Sequence, residues 1–204
     1  MNRQENTTMQ SEIFIVLMIV MILLFIITSL YLAQLKQHQQ PPLIVLDEAH
    51  GYSFHSSSAS LNRKFQNQLS SLVINKIQTF AKEHKCDIVE VYGYTDTQPF
   101  SKNIKGDRFD QKLHKCLTVG CDIDKIQASS NLELGMKRAV SVVGFLKPKL
   151  ITKNSVIKII RPYSSGQFID EKGEISLVEN VRGNKLRRRI EIRLSRSKDL
   201  LLNY

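Results

Sequence analysis

From Ile13 to Leu35 the chain is almost unbroken apolar sequence, IFIVLMIVMILLFIITSLYLAQL. The hydrocarbon core of a bilayer takes about 20 such residues as a helix, so the run predicts one transmembrane helix over 13–35. A cleaved signal peptide has a shorter apolar stretch, more basic residues before it and small residues at its cleavage site. Here Gln34-Leu35-Lys36-Gln37-His38 follows instead, and no cysteine closes the run as in a lipoprotein, so the span is read as retained. Ahead of it lies a polar tail, residues 1–12. Behind it Lys36 to Pro42 form a polar, proline-closed linker that reaches at most roughly 25 Å when extended.

Beyond Pro42 the apolar positions change period. Leu43 to Leu46 read as a short strand, and His50 to Phe54 as a strand edge ahead of a helix. Leu61, Phe65, Leu69, Leu72, Val73, Ile77 and Phe80 then recur at helical spacing as far as about His84. Ile88 to Tyr92 alternate as a strand. Ser130 to Leu146 read as a second helix, with Asn131 at its start, Leu132, Met136, Ala139, Val140 and Val143 on one face, and Pro148 stopping it. Val156 to Ile160 make a third strand, Gly166 to Gly183 a long loop, and Arg188 to Leu194 a last strand. Ile190, Ile192 and Leu194 fall on one face of that strand, with Arg189, Glu191 and Arg193 outward on the other. Two main helices on a mixed sheet make an α+β two-layer domain over 43–197, with a tail at 198–204.

Charge narrows the partners. The formal net charge is +10, which favours anionic ones: nucleic acid, phospholipid or a wall polymer. Arg187-Arg188-Arg189 would suit nucleic acid, but the alternation around them is that of a strand, and no aromatic stacking platform lies nearby; no nucleic acid is expected. No Ser-His-Asp order, phosphate loop or metal triad appears, so neither catalysis nor a cofactor is expected. His114, Cys116, Cys121 and Asp122 match no common zinc spacing. In an oxidising compartment Cys116 and Cys121 can close a loop disulfide, leaving Cys86 as the odd, buried cysteine.

One pair of segments offers a ligand site. Val89 to Tyr94 alternate and end in a turn that leaves Asp96 at the mouth of the strand; Leu134 and Arg138 lie one above the other on the second helix. A carboxylate facing an arginine suits a ligand with both an ammonium and a carboxylate. Asp96 would take the ammonium and Arg138 the carboxylate, with Asn131 orienting the ligand and Leu134 lining the pocket.

Gly93-Tyr94-Thr95-Asp96-Thr97-Gln98-Pro99, then Ser130-Asn131-x-Glu133-Leu134-x-x-x-Arg138-Ala139, then Arg188-Arg189-Ile190-Glu191-Ile192 together resemble the OmpA-like peptidoglycan-binding domain. The likeness is to the version in the B subunit of flagellar motor stators and covers roughly Leu43 to Ser195. The resemblance implies a wall ligand, the free diaminopimelate end of a stem peptide, bound at Asp96, Asn131, Leu134 and Arg138. It also implies a bacterial inner-membrane protein with a cytoplasmic N-terminus and a periplasmic domain. Such a B subunit pairs with itself inside a ring of multi-span A subunits, and an acid near the cytoplasmic end of its helix relays ions; Glu12 is the candidate here. The chain departs from the pattern in its short linker, in Arg187 where Asn is usual, and in an insertion between Pro99 and Ser129. The short linker and small size are closer to the B subunit of Zorya-type anti-phage systems than to a flagellar stator. The alternative expectation is a passive wall tether without ion transport.

Overall fold

The computed structural model describes residues 3–39, 42–55, 57–98, 109–175 and 183–197. It divides into two units, residues 1–40 and residues 41–204. The first is a single helix, α1 (Arg3–Gln39). Its side chains from Glu12 to Ala33 are all exposed, and this stretch is long and apolar enough to cross a membrane. Glu12 therefore stands well inside a helix that begins at Arg3. The Thr28 hydroxyl bonds back to the Leu24 and Phe25 carbonyls at 2.9 and 3.0 Å, which satisfies it within its own helix. Lys36 to Gln39, read as part of the linker, are helical, and the Pro42 carbonyl accepts from Leu194 N–H. Residues 40–41 and the tail 198–204 lie outside the described residues.

The second unit is a four-stranded sheet in the order β1-β4-β2-β3, made of β1 (Leu43–Asp47), β2 (Ile88–Tyr94), β3 (Ile159–Gly166) and β4 (Arg189–Ser195). β4 runs antiparallel to both β1 and β2, while β2 and β3 are parallel. A parallel pair needs a crossover connection, and α4 (Phe109–Thr118) and α5 (Asn131–Leu150) lie within it. The α+β two-layer reading thus holds.

The first layer helix is built from α2 (Arg63–Gln68), a π-helical turn (Leu69–Val73) and α3 (Ile74–Glu83). The sequence explains the π turn. Phe65, Leu69, Val73, Ile77 and Ala81 are all buried and recur every four residues. On a 3.6-residue helix that spacing drifts about 40° per step. A wider turn in the middle takes up part of the drift and returns the later residues to the sheet. Leu72 leaves the face and is exposed. The start is capped by Asn62, whose side chain accepts from Phe65 N–H at 2.8 Å.

Four expectations need correcting. Residues 50–54 make no strand: Glu48–His50 is a single 3-10 turn, capped by the Asp47 side chain on His50 N–H, and irregular chain follows. β3 covers Ile159–Gly166 rather than Val156–Ile160 and runs on through Pro162. β3 is an edge strand, where one N–H goes unused and proline is tolerated. Pro148 does not stop α5 either; the helix continues to Leu150, with Ile151 N–H still bonding the Lys147 carbonyl. Gly144 stands four residues before Pro148, where the proline ring meets the preceding turn.

The fourth correction concerns the face of β4 opposite the core, where Arg189 and Glu191 are not open to water but only 6 % exposed each. Glu191 accepts from Arg189 and Arg193 at 2.8 Å each and from the Tyr94 hydroxyl at 2.9 Å. Burial raises its carboxyl pKa, but these three hydrogen bonds outweigh it and leave the value below the ordinary range. The Asp170 carbonyl takes Arg189 Nη2 at 2.9 Å, so the loop after β3 covers this end of the face.

α5 is buried on two sides. Ala139, Val142, Val143, Leu146 and Leu150 join the sheet core. Val140 and Met136 instead meet Leu113, Leu117 and Ile126 of the insertion. Leu132, assigned to the apolar face, is 47 % exposed. Residues 99–108 of the insertion lie outside the described residues; the rest holds α4, a disulfide between Cys116 and Cys121 with Cα atoms 4.7 Å apart, and a 3-10 turn, Ile123–Lys125. Cys86 is buried in the main core.

Candidate functional site

Two glycines set the site. A Cβ at Gly93 of β2 would fall on the Gly135 carbonyl oxygen, and one at Gly135 of α5 would sit 2.5 Å from Ser164 Oγ and 2.8 Å from the Gly93 carbonyl oxygen. The helix therefore rests on the strand backbone to backbone. Ser164 Oγ adds a hydrogen bond to the Leu132 carbonyl at 2.7 Å. This contact brings the turn after β2, with Asp96, beside the first turns of α5, with Arg138.

The start of α5 is capped by Ser130, not by Asn131. Ser130 Oγ accepts from Glu133 N–H at 3.2 Å, and the Glu133 carboxylate reaches back to Ser129 N–H and Oγ at 2.6 and 2.7 Å, a variant of the capping box. Asn131 is left to donate. Its amide bonds the Gln98 carbonyl at 2.9 Å and Gln167 Oε1 at 2.6 Å, so it ties the turn after β2 to the loop after β3. Leu134 is buried one turn before Arg138.

Asp96 and Arg138 are both buried. They share one electrostatic neighbourhood but are not an ion pair. Arg188 Nη1 bonds Asp96 Oδ2 at 2.5 Å, and its Nε bonds Glu48. Hydrogen bonding to Glu48, then to Asp96, holds the Arg188 guanidinium above its ordinary pKa against its partial burial. Gly183, with φ +70°, closes over this pair. A Cβ there would lie 2.8 Å from Asp96 Oδ2 and 2.9 Å from Arg188 Nη1.

Arg138 is held differently. Its Nε donates to the Ser58 carbonyl at 3.1 Å, and its guanidinium carbon lies 4.9 Å from the centre of the Phe54 ring. Burial pushes its pKa down to about 10, opposed by Asp96 and Glu48 and reinforced by Arg188; it remains a cation at neutral pH. Its two Nη groups bond to none of the described residues. A guanidinium only 3% exposed, oriented through Nε and with neither Nη bonded among the described residues, suits a carboxylate taken in a planar fork. The neighbouring Asp96 and Glu48 carboxylates suit an ammonium.

The sequence reading thus chose two charges of a cluster of four and missed Arg188 and Glu48. Arg188 was readable as part of the last strand, but nothing in its spacing says that it turns to Asp96. Ser58 and Phe54 were also missed; a backbone carbonyl carries no sequence signal.

No known protein family matches the chain, and neither does any curated protein. Solved structures do. The periplasmic domain of Helicobacter pylori MotB aligns at 18% identity over 81% of this chain and 82% of its own, with a TM-score of 0.48. The cell wall anchor of the T6SS from Pseudomonas aeruginosa aligns at 16% over 83% and 96%, TM-score 0.39. The peptidoglycan-associated lipoprotein from Burkholderia pseudomallei aligns at 15% over 74% and 89%, TM-score 0.37. At identities and scores this low they assign the chain neither ligand nor partner.

Proposed function

We propose that the chain is a single-span membrane protein whose folded domain grips peptidoglycan by the zwitterionic tip of an uncrosslinked diaminopimelate stem peptide. The observation that carries this is Arg138, a buried guanidinium whose Nη donors bond to none of the described residues, beside the Asp96 carboxylate. The three motifs that resemble the OmpA-like domain support it independently, because Asp96 and Arg138 stand at their matching positions. Function is argued from this site, not from the fold. Asn131 holds the rim and Leu134 the floor. The test is co-sedimentation of the full chain, in detergent, with purified sacculi. The wild type pellets with the wall; Asp96→Ala and Arg138→Ala remain in solution.

On this reading the protein sits in a bacterial inner membrane, with its N-terminus in the cytoplasm and its domain facing the wall. It acts as the B subunit of an ion-driven, stator-like complex, pairing with a second copy inside a multi-span ring-forming partner, in motility or in a Zorya-like defence. A passive tether is the second reading. What favours it is that Ile13 to Ala33 contain no acid, which leaves Glu12 at the very edge of the span. Glu12→Gln separates the two. Wall binding persists in both cases, but the activity of the complex in cells falls to background if Glu12 relays ions and stays at wild-type level if the chain is only a tether.

A further inference from the structure

The described part of the insertion, residues 109–128, adds no side chain to the cluster of Asp96, Arg138, Arg188 and Glu48, yet it touches that cluster's surroundings. Ser58, whose carbonyl orients Arg138 through Nε, donates its hydroxyl to Asp124 Oδ1 at 3.1 Å. The same hydroxyl accepts from Ser60 N–H at 3.0 Å, which fixes it within its turn. Asp124 stands in the 3-10 turn Ile123–Lys125, which starts two residues after Cys121, and the Asp122 side chain caps that turn on Asp124 N–H. A second cation points the same way. Lys137, next to Arg138 in sequence, has a side chain only 4% exposed, and its Nζ lies 4.0 Å from Asp124 Oδ1. Burial pushes the Lys137 pKa down, and Asp124 opposes that.

We propose that the disulfide-closed insertion is a clamp that positions the ligand-binding arginine, acting through the contact of Asp124 with Ser58. The proposal rests on the reading of Arg138 as the carboxylate-binding group. Asp124 and Ser58 touch no ligand; they are positioning residues. Ser57 has φ +54°, a left-handed conformation uncommon for a non-glycine residue. Ser58 N–H donates to the His55 carbonyl at 3.0 Å, and with the Ser60 bond this forms the turn; among the described residues the Asp124 contact is the one hydrogen bond that ties the turn to the insertion. Without it the turn is held only by its own local bonds, and the hydrogen bond that aims the Nη groups of Arg138 slackens. The Cys116–Cys121 bond limits how far the turn bearing Asp124 can move, so the clamp depends on oxidation. Dithiothreitol releases it by exchange: its two thiols close to a cyclic disulfide, and Cys116 and Cys121 each return to a thiol.

The experiment is calorimetric titration of the full chain in detergent with the tripeptide L-Ala-γ-D-Glu-meso-diaminopimelate. Asp124→Ala and Ser58→Ala should each weaken binding roughly threefold to tenfold, the range of one hydrogen bond. The double variant should be no weaker than the worse single one, because both remove the same contact. Asp124→Asn, which keeps an acceptor for Ser58, should restore most of the affinity, a rescue that a general loss of stability would not give. Dithiothreitol should weaken the wild type to the level of Asp124→Ala and leave Asp124→Ala unchanged. Wild-type affinity in Asp124→Ala and Ser58→Ala, with Arg138→Ala inactive, overturns the clamp alone. Wild-type affinity in Arg138→Ala overturns the site reading beneath it. Additive losses in the double variant, or no rescue by Asp124→Asn, also overturn the clamp.

Discussion

Arg138→Ala should lower affinity for sacculi on the order of 100-fold. The figure follows from removing one partner of a desolvated, hydrogen-bonded charge pair between protein and ligand. The loss should exceed that of any exposed lysine or arginine in the domain, because surface charges contribute little. Arg138→Lys should recover only part of the binding. A lysine supplies a point charge but not the fork whose Nε rests on Ser58 while its Nη groups stay open. Asp96→Ala should lose binding to a similar degree for a second reason: Arg188, now bonded to Asp96 and Glu48, would be left with excess positive charge where the ligand's ammonium must sit. Thermal melting distinguishes these effects from unfolding; variants that melt with the wild type but stay in the supernatant support the site. A variant that pellets normally removes Arg138 from it.

Gly93→Ala should destabilise the domain by about 4 kcal/mol or more, beyond the usual cost of overpacking. The added methyl would fall on the Gly135 carbonyl oxygen, and backbone cannot step aside as a side chain can. β2 pairs on both sides, with β3 and β4, so the strand cannot shift without breaking two ladders. For a domain of this size the midpoint of thermal unfolding should fall by about 8–16 °C. Any fraction still folded should bind wall poorly, because the same contact sets Asp96 against α5. Gly144→Ala is the control: a Cβ there meets nothing within 4 Å, and a helix interior favours alanine over glycine. Equal stability of Gly93→Ala and the wild type would mean that α5 does not lie on β2 as described.

Much of this was legible in the sequence, for physical reasons. The long apolar helix α1 follows from an unbroken apolar run, and the helix over 63–83 and the alternation of the last strand from hydrophobic period, which local sequence records directly. Asp96 and Arg138 could be singled out in the sequence as a carboxylate after a strand and an arginine on a helix, at positions of the resembling motifs, and the structure places both in one buried cluster. The misread features depend on neighbours distant in sequence. The third strand, read as Val156 to Ile160, takes its true bounds from its parallel pairing with β2. Arg189 and Glu191 read as solvated until the loop at Asp170 is seen to cover them. Met136 and Val140 read as part of the sheet face until the insertion supplies a second one. Arg188 and Ser58, which respectively hold Asp96 and Arg138, are 92 and 80 residues from them in sequence, and no local pattern encodes such a pairing.

The most direct test of the central claim compares two ligands that differ in one group. The full chain in detergent is titrated with L-Ala-γ-D-Glu-meso-diaminopimelate and with the same tripeptide carrying L-lysine, which keeps the side-chain ammonium but lacks its carboxylate. A carboxylate grip by Arg138 predicts saturable binding of the first and at least tenfold weaker binding of the second. Equal affinity for both, or no binding of either, would contradict it.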